Sequence, residues 1–486
     1  PLLGTVSVAA GAPLLLTPLV EAGRLSEAKE RSRVYAEGKF LGHSGYFAVP
    51  SATGHNVNQL FTWFQPCSDG CDAGSTPFIQ WFNGGPGSPD TTGALNQIGN
   101  FYVGADLKLK ERCFSWCRTY NCLFVDSPTM TGFSFQTDKA GHFDRQRIEY
   151  TLTSADAARQ VLGVLLQFFR VWPEYAPAPY YVHGLSYGGR YVPWMAQVVL
   201  DHNRAGGQHV NIRGIAAGDP VMDNKYQFPT YASTLYAMGL VMEEERDEVE
   251  ALMANATAWN DKDCLTAFEL WNSVWNDDGG SSCHPHCRFL FKAFSGSTNT
   301  EHFLLGGQPD NFAYFRRYLV QNAAQFHVEG QPNQNSTFAE GGNVYLAMVK
   351  SGDFCAPSSP MYASHFLKAG LDVLVYTSNL DPLLGPPTTA AGVQAAWDHA
   401  AAALPGGAEA KKAFYGQRKA IWRVAEEDGD PAGYARCLSR AGARFCYVVV
   451  RNAGHETTSY APRAAFDLNE RFLRGASFEG EIPGLP

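Results

Sequence analysis

At 486 residues, with hydrophobic side chains at 45% of positions, the chain has ample apolar material for a sizeable core, and its length suits one core carrying an inserted cap. The formal net charge is -9, from 38 Lys and Arg against 47 Asp and Glu, so nucleic acid is not expected as a partner and no basic patch marks a membrane surface. No run of about eighteen apolar residues occurs, so no membrane span is expected.

Residues 1–40 read as an N-terminal arm. Pro1 without a preceding Met points to a trimmed chain, and residues 6–16 are too short and lack the basic flank of an intact signal peptide, so the start reads as a mature N-terminus. Strand patterns then run over residues 41–219, the first part of an α/β core. Residues 78–82 form a buried-strand pattern that stops at Asn83-Gly84-Gly85-Pro86-Gly87. A turn without side chains lets backbone N–H groups approach a substrate closely, which makes Gly85 N–H a candidate oxyanion donor.

The next strand pattern, residues 180–183, leads into Gly184-Leu185-Ser186-Tyr187-Gly188 and then a helix-compatible apolar stretch over 191–200. A strand that turns sharply into a helix lifts the serine oxygen clear of the backbone, and the flanking glycines relieve the crowding. Ser186 is the candidate nucleophile, with the N–H of Tyr187 as the second oxyanion donor. By itself the pentapeptide also suits a plain tight turn, so its partners decide.

From residue 220 to 350 the strand pattern gives way to helical and loop-rich sequence, the expected cap, which includes an acidic and solvated face over 243–250. The core resumes over 351–486. A strand pattern over 371–376 ends in Thr377-Ser378-Asn379-Leu380-Asp381, and another over 446–450 ends in Arg451-Asn452-Ala453-Gly454-His455. Asp381 alone would serve as a loop-capping acid and His455 as a surface histidine. Ser186, Asp381 and His455 in that order at three strand ends is the α/β-hydrolase order, in which the acid fixes the tautomer of the base and the base activates the serine. A helix over 462–474 closes the core.

Eleven cysteines fit an oxidising compartment, and Asn255-Ala256-Thr257 and Asn335-Ser336-Thr337 are glycosylation sequons that such a compartment would use. Cys437 and Cys446 flank a hairpin and can face each other. Cys67 with Cys71, and Cys113 with either Cys117 or Cys122, can close local loops. The odd count leaves at least one thiol free or paired to another chain, and a homodimer or larger complex stays open. Cys283-His284-Pro285-His286-Cys287 contains a proline and lacks a second ligand pair, so it reads as a disulfide or plain loop, and no metal or cofactor is expected.

These residues resemble the serine carboxypeptidase family. The block Trp81-Phe82-Asn83-Gly84-Gly85-Pro86-Gly87 is similar to its signature turn, as are Ser186-Tyr187-Gly188-Gly189 and Asp126-Ser127-Pro128 with Thr131-Gly132-Phe133-Ser134. Leu16-Thr17-Pro18-Leu19-Val20-Glu21-Ala22-Gly23, Gly45-Tyr46-Phe47, and Phe466-Asp467 ahead of Arg471-Phe472-Leu473 resemble the vitellogenic-like branch. The resemblance runs over about 13–475 and thins between about 250 and 340. It implies an α/β-hydrolase fold with a cap and a Ser-Asp-His hydrolase acting on the C-termini of peptide or protein substrates, in a secreted, lumenal or lysosome-like compartment.

The resemblance also sets out departures. The family carries an acid just before the nucleophile and a second some residues past the glycine turn, a proton-sharing pair that binds the substrate's terminal carboxylate. Those positions are Leu185 and Gln97 here. Asn83 and Gly84 keep the family pattern for carboxylate binding, whereas the usually apolar residue after the histidine is Glu456. Thr458 and Tyr460 replace a Pro and an Asp, Ser378-Asn379 replaces a Gly followed by Asp or Gln, and Ser88 replaces a Cys. Without an acid pair, His455 is expected to be the main titrating group. A weak or inactive carboxypeptidase-like protein with a structural or binding role, and an acyltransferase or esterase on the same triad, are the alternative readings, since a fold does not fix its chemistry.

Overall fold

The computed structural model describes residues 12–275, 290–307, 311–330 and 341–482. Six parallel strands form its centre, labelled in chain order β1 (Phe78–Phe82), β2 (Asn121–Val125), β3 (Tyr180–Leu185), β4 (Ile212–Gly218), β5 (Asp372–Ser378) and β6 (Ala443–Val450). In space they run β2-β1-β3-β4-β5-β6. Their sequences are near-continuous apolar runs because both faces are covered, and β1, β2 and β3 are buried at every residue. Antiparallel strands finish the sheet: Asn56–Gln65, Lys39–Pro50 and Arg33–Ala36 beyond β2, and Gly433–Arg440 and Ala420–Trp422 beyond β6.

One face of the sheet is covered by the helices Ser154–Val171 and Gly188–Arg204, whose apolar residues Val161, Leu165, Phe168, Val192 and Val199 lie in the largest core cluster. Trp81, Trp116, Phe124 and Phe466 belong to a second cluster. The helix Pro462–Leu473 carries a buried pair, in which Arg471 Nε donates to Asp467 Oδ2 at 2.5 Å while Trp422 Nε1 donates to the same oxygen at 2.6 Å. The arm expected over residues 1–40 is partly woven into the core. Leu16 N donates to Tyr46 O and Tyr46 N to Leu14 O, and Arg33–Ala36 pairs with the strand beside it.

Among the described residues no strand lies between Gly218 and Asp372, and the segment is helical, including Tyr231–Ala237, Glu243–Trp259, Cys264–Trp275 and Gly342–Lys350. The acidic stretch expected to be solvated is the first part of Glu243–Trp259, where Val249, Met253 and Ala256 face inward and the acids mostly face out. Disulfide Cys264–Cys355 ties the helix Cys264–Trp275 to the chain ahead of β5. Cys67–Cys71 and Cys437–Cys446 pair as expected. Of the two partners considered for Cys113 neither forms: Cys117 pairs with Cys122, and Cys113 is an exposed free thiol. Cys117 and Cys122 lie at the start of the short helix Trp116–Thr119 and in β2, both fully buried, which brings them together away from Cys113. The Cys283–Cys287 motif and Asn335 lie outside the described residues, whereas Asn255 is exposed on the helix Glu243–Trp259. Among the described residues no helix is long and apolar enough to cross a membrane.

Candidate active site

The carboxyl ends of β1, β3, β4, β5 and β6 converge on one rim, as ligand sites in open α/β sheets do. At the end of β3 the chain bends through Ser186, which has φ +60°, and enters the helix Gly188–Arg204 with Tyr187 as its N-cap. A non-glycine residue with that φ is strained by about 1–3 kcal/mol, so the surroundings must over-determine it. They do: Ser186 N donates to Gly218 O at 2.9 Å, and Ser186 O accepts from Gly189 N at 2.9 Å and Val221 N at 3.0 Å. Gly189 is required because a Cβ there would lie 2.5 Å from Pro220 Cβ and 2.7 Å from Val221 O.

The glycine turn after β1 packs directly onto this elbow. A Cβ on Gly84 would lie 2.5 Å from Ser186 Cβ and 2.9 Å from both Leu185 O and Tyr187 N. Gly85 follows with φ +104°. The turn is held from behind by Asp90, whose Oδ1 accepts from Asn83 N at 2.6 Å, and Trp81 Nε1 donates to Asn83 Oδ1 at 3.2 Å. The indole nitrogen can only donate, so it fixes the Asn83 amide oxygen and leaves the amide nitrogen as the donor of that side chain.

Asp381 and His455 meet across the loops that follow β5 and β6. His455 Nδ1 lies 2.7 Å from Asp381 Oδ2, with the carboxylate fully buried and the imidazole nearly so. Asp381 Oδ1 accepts from Leu383 N at 2.8 Å. The two loops are laced together by Asn379 N to Val450 O, Leu380 N to Ala453 O and Asn452 N to Asn379 Oδ1, and His455 N donates to Glu301 O at 2.7 Å. Burial by itself would lower the His455 pKa. The charge and hydrogen bond of Asp381 outweigh it, with further help from Glu301 and Asp219, and hold the imidazole above its ordinary value.

Ser186, His455 and Glu456 line one cavity of about 350 Å³, with Asn83, Gly84 and Gly85 on one side and aromatic residues of the helical segment, Trp271 and Trp275 among them, on another. Leu185 also lines it, whereas Gln97 stands one layer back. Gln97 Nε2 donates to Glu456 Oε1 at 2.9 Å, and Oε2 accepts from Asn96 Nδ2 at 2.9 Å and Ser459 Oγ at 3.0 Å. Burial, and then the neighbouring Glu301, push the Glu456 carboxyl up to about 7. His455 therefore has a second titrating group beside it, where the sequence reading expects it to titrate largely alone.

Asn96, Ser459 and Glu301 were not singled out in the sequence, since an amide, a hydroxyl and a cap acid at scattered positions carry no motif. Asp219 carries no motif and only bounds the 41–219 segment in the sequence, yet one of its oxygens lies within 4.8 Å of an Asp381 oxygen and a His455 ring nitrogen.

Parallel strands with covering helices, a strained serine elbow at β3 and a buried Asp–His pair at β5 and β6 define an α/β hydrolase. The serine carboxypeptidase family model matches residues 35–475, and the chain belongs to that family. The "Probable serine carboxypeptidase CPVL" of Homo sapiens is 30% identical over 96% of this chain and 91% of that protein. The "Venom serine carboxypeptidase" of Apis mellifera is 29% identical, covering 96% of this chain and 92% of its own. The "Vitellogenic carboxypeptidase" of Aedes aegypti is 28% identical over 95% and 90%. Among solved structures, Kex1(Δ)p, a prohormone-processing carboxypeptidase from Saccharomyces cerevisiae, superposes with a TM-score of 0.68 at 19% identity, covering 91% of this chain and 96% of that one.

Proposed function

We propose that the protein is a serine carboxypeptidase-like hydrolase that removes residues from peptide C-termini through Ser186, His455 and Asp381. Ser186 Oγ attacks the scissile carbonyl carbon while His455 Nε2 takes its proton. The N–H groups of Gly85 and Tyr187 hold the oxyanion. His455 then gives the proton to the departing amine, and water, deprotonated by the same imidazole, hydrolyses the acyl-enzyme. Asp381 holds His455 in the tautomer that leaves Nε2 free to accept. The observation carrying this reading is the buried 2.7 Å His455–Asp381 pair bordering the cavity that Ser186 also lines.

The substrate pocket is the part that departs. Asn83 can donate to a terminal carboxylate, but Leu185 offers no hydrogen bond and Glu456 adds negative charge once ionised. Blocked C-termini, or C-termini bearing a basic residue, are therefore favoured over free acids with apolar ends. Disulfides and an exposed sequon at Asn255 support an oxidising, secretory-type compartment.

Labelling by a fluorophosphonate tests the reading, because it requires a working nucleophile and oxyanion hole and no particular peptide. Covalent labelling of the parent and none of Ser186→Ala is expected. An unlabelled, folded parent would overturn the reading and leave a binding or structural role. Hydrolysis of esters without peptidase activity, or acyl transfer to an alcohol in preference to water, would select the esterase or acyltransferase alternative.

A further inference from the structure

Asp219 is the residue immediately after β4, the strand between those that present Ser186 and Asp381. It is fully buried and adopts φ +41°. That left-handed conformation is strained for a non-glycine residue and persists only where the surroundings over-determine it. Its backbone N donates to Tyr376 O at 2.8 Å. Asp219 Oδ1 accepts from Ser378 N at 2.8 Å and Thr377 Oγ1 at 3.0 Å. Oδ2 accepts from Ser378 Oγ and Thr457 Oγ1, each at 3.2 Å, and those two hydroxyls lie 2.6 Å apart.

The partners divide between two loops. Thr377 and Ser378 end the strand that delivers Asp381, and Thr457 stands two residues after His455. One carboxylate therefore cross-links the acid loop to the histidine loop from below. One carboxylate oxygen of Asp219, one of Asp381 and a ring nitrogen of His455 all lie within 4.8 Å of one another.

We propose that Asp219 is a positioning residue of the catalytic centre, a second carboxylate that fixes the Asp381 and His455 loops relative to one another and steadies the imidazolium formed during each acyl transfer. The inference rests on the Ser186–His455–Asp381 reading above. The charged groups facing His455 are Asp381 from the acid loop, Glu301 from the cap, Asp219 from the end of β4 and the adjacent Glu456. Those facing Asp219 are Asp381 and His455, with the Tyr376 and Tyr447 hydroxyls nearby. Burial and then Asp381 raise the Asp219 carboxyl well above its usual range, while His455 acts in the opposite direction. Asp219 in turn raises His455. Each favours the charged form of the other, so protonation of the base is coupled to the brace.

The test is the pH profile of hydrolysis of a p-nitrophenyl ester, which bypasses carboxylate recognition, measured on the full chain. Asp219→Asn keeps the shape and removes the charge. Expected are a kcat lower by roughly tenfold with KM little changed, and an acid limb of kcat/KM displaced downward by about one pH unit. Thr457→Val should lower kcat in the same direction and Thr457→Ser, which keeps the hydroxyl, should restore it. Combined with Asp381→Asn, Asp219→Asn should cost less than its single effect, since both act through one imidazole. An Asp219→Asn enzyme with the parental acid limb overturns the proposal, even if it is less stable. If Asp219→Asn does not fold, the Thr457 pair decides: equal kcat for Val and Ser overturns it. A parent that neither labels at Ser186 nor hydrolyses the ester refutes the triad itself, a failure distinct from these.

Discussion

Glu456 and Gln97, 359 positions apart in the chain, are joined by a 2.9 Å hydrogen bond beside His455. With Asn96 and Ser459 on the other oxygen, the amide donors of this corner are engaged by the protein's own carboxylate. A substrate carboxylate arriving here meets a like charge whenever Glu456 is ionised. At 4 Å such a pair repels by about 1 kcal/mol in water-like surroundings and about 4 kcal/mol at an effective dielectric near 20.

The pH dependence should therefore differ between free and blocked substrates. His455 must be neutral to accept the Ser186 proton, and its pKa is raised, so activity on an amidated peptide should climb with pH through a limb above the ordinary histidine value of about 6.5. Glu456 is neutral below about 7 and charged above it. The ratio of kcat/KM for a free acid to that for its amide should fall by at least roughly threefold as pH rises from 6 to 8, the lower figure corresponding to about 1 kcal/mol of repulsion with the carboxyl going from mostly neutral to mostly charged. In Glu456→Met the ratio should not vary with pH. A sharp optimum near pH 4 to 5 on both substrates, about where ordinary carboxyls titrate, would contradict the scheme.

The same carboxyl sets a stability term. Its folded pKa of about 7 lies above the ordinary 4.5, so the folded state holds a proton that the unfolded state releases in that window, and its contribution is lost as pH rises from about 4.5 to 7. The full shift corresponds to about 3 kcal/mol as an upper figure. Relative to the parent, Glu456→Met should gain Tm on going from pH 5 to pH 8, measured by calorimetry. A Tm difference that stays constant over that range would remove Glu456 as the source.

Much of this site is written locally. The β1 strand and its glycine turn, the Ser186 elbow, and the acid and histidine at the ends of β5 and β6 each combine a buried-strand run with a breaker or polar residue at its carboxyl end, which a linear reading detects. The closing helix is equally plain, from Pro462 onward. What a linear reading misses is set by side chains converging from distant segments. Asn96 and Gln97 come from a buried turn of helix, Ser459 from a short helix after His455, and Glu301 from the cap, and only packing brings them to Glu456. Asp219 is hidden for a related reason: its partners are three hydroxyls and one backbone N–H on two loops, and no spacing rule marks them. The two pairings considered for Cys113 both give way to Cys117–Cys122, because three cysteines within a short stretch admit more than one loop and only the packing of β2 selects among them.

Replacing Gly84 by Ala tests how tightly the glycine turn and the elbow are fitted. The new Cβ would meet Ser186 Cβ at 2.5 Å and Leu185 O and Tyr187 N at 2.9 Å, backbone and near-backbone atoms that cannot rotate away. A misplacement of about 1 Å at a reacting centre costs roughly a hundredfold in rate, and overpacking costs about 1–3 kcal/mol in stability. The fluorophosphonate labelling rate of Ser186 should drop by about that factor, with a lower Tm. Parental labelling would show that the turn yields without disturbing the oxyanion donors.

Asp381→Asn preserves size at a fully buried position, but its amide nitrogen can donate to His455 Nδ1, which favours the tautomer with the proton on Nε2. That nitrogen then cannot accept from Ser186, and the negative charge that supports the imidazolium is gone. The expected loss is about 10³- to 10⁴-fold in kcat, smaller than the loss of about 10⁶ for Ser186→Ala. Because Asp381 is the largest favourable influence on His455 charging, the acid limb of the residual activity should also move to lower pH. Steady-state hydrolysis of an ester across pH 5 to 9 reads both quantities at once. A reduced rate with the limb unmoved would mean that Asp381 holds the loop and does not act on the imidazole.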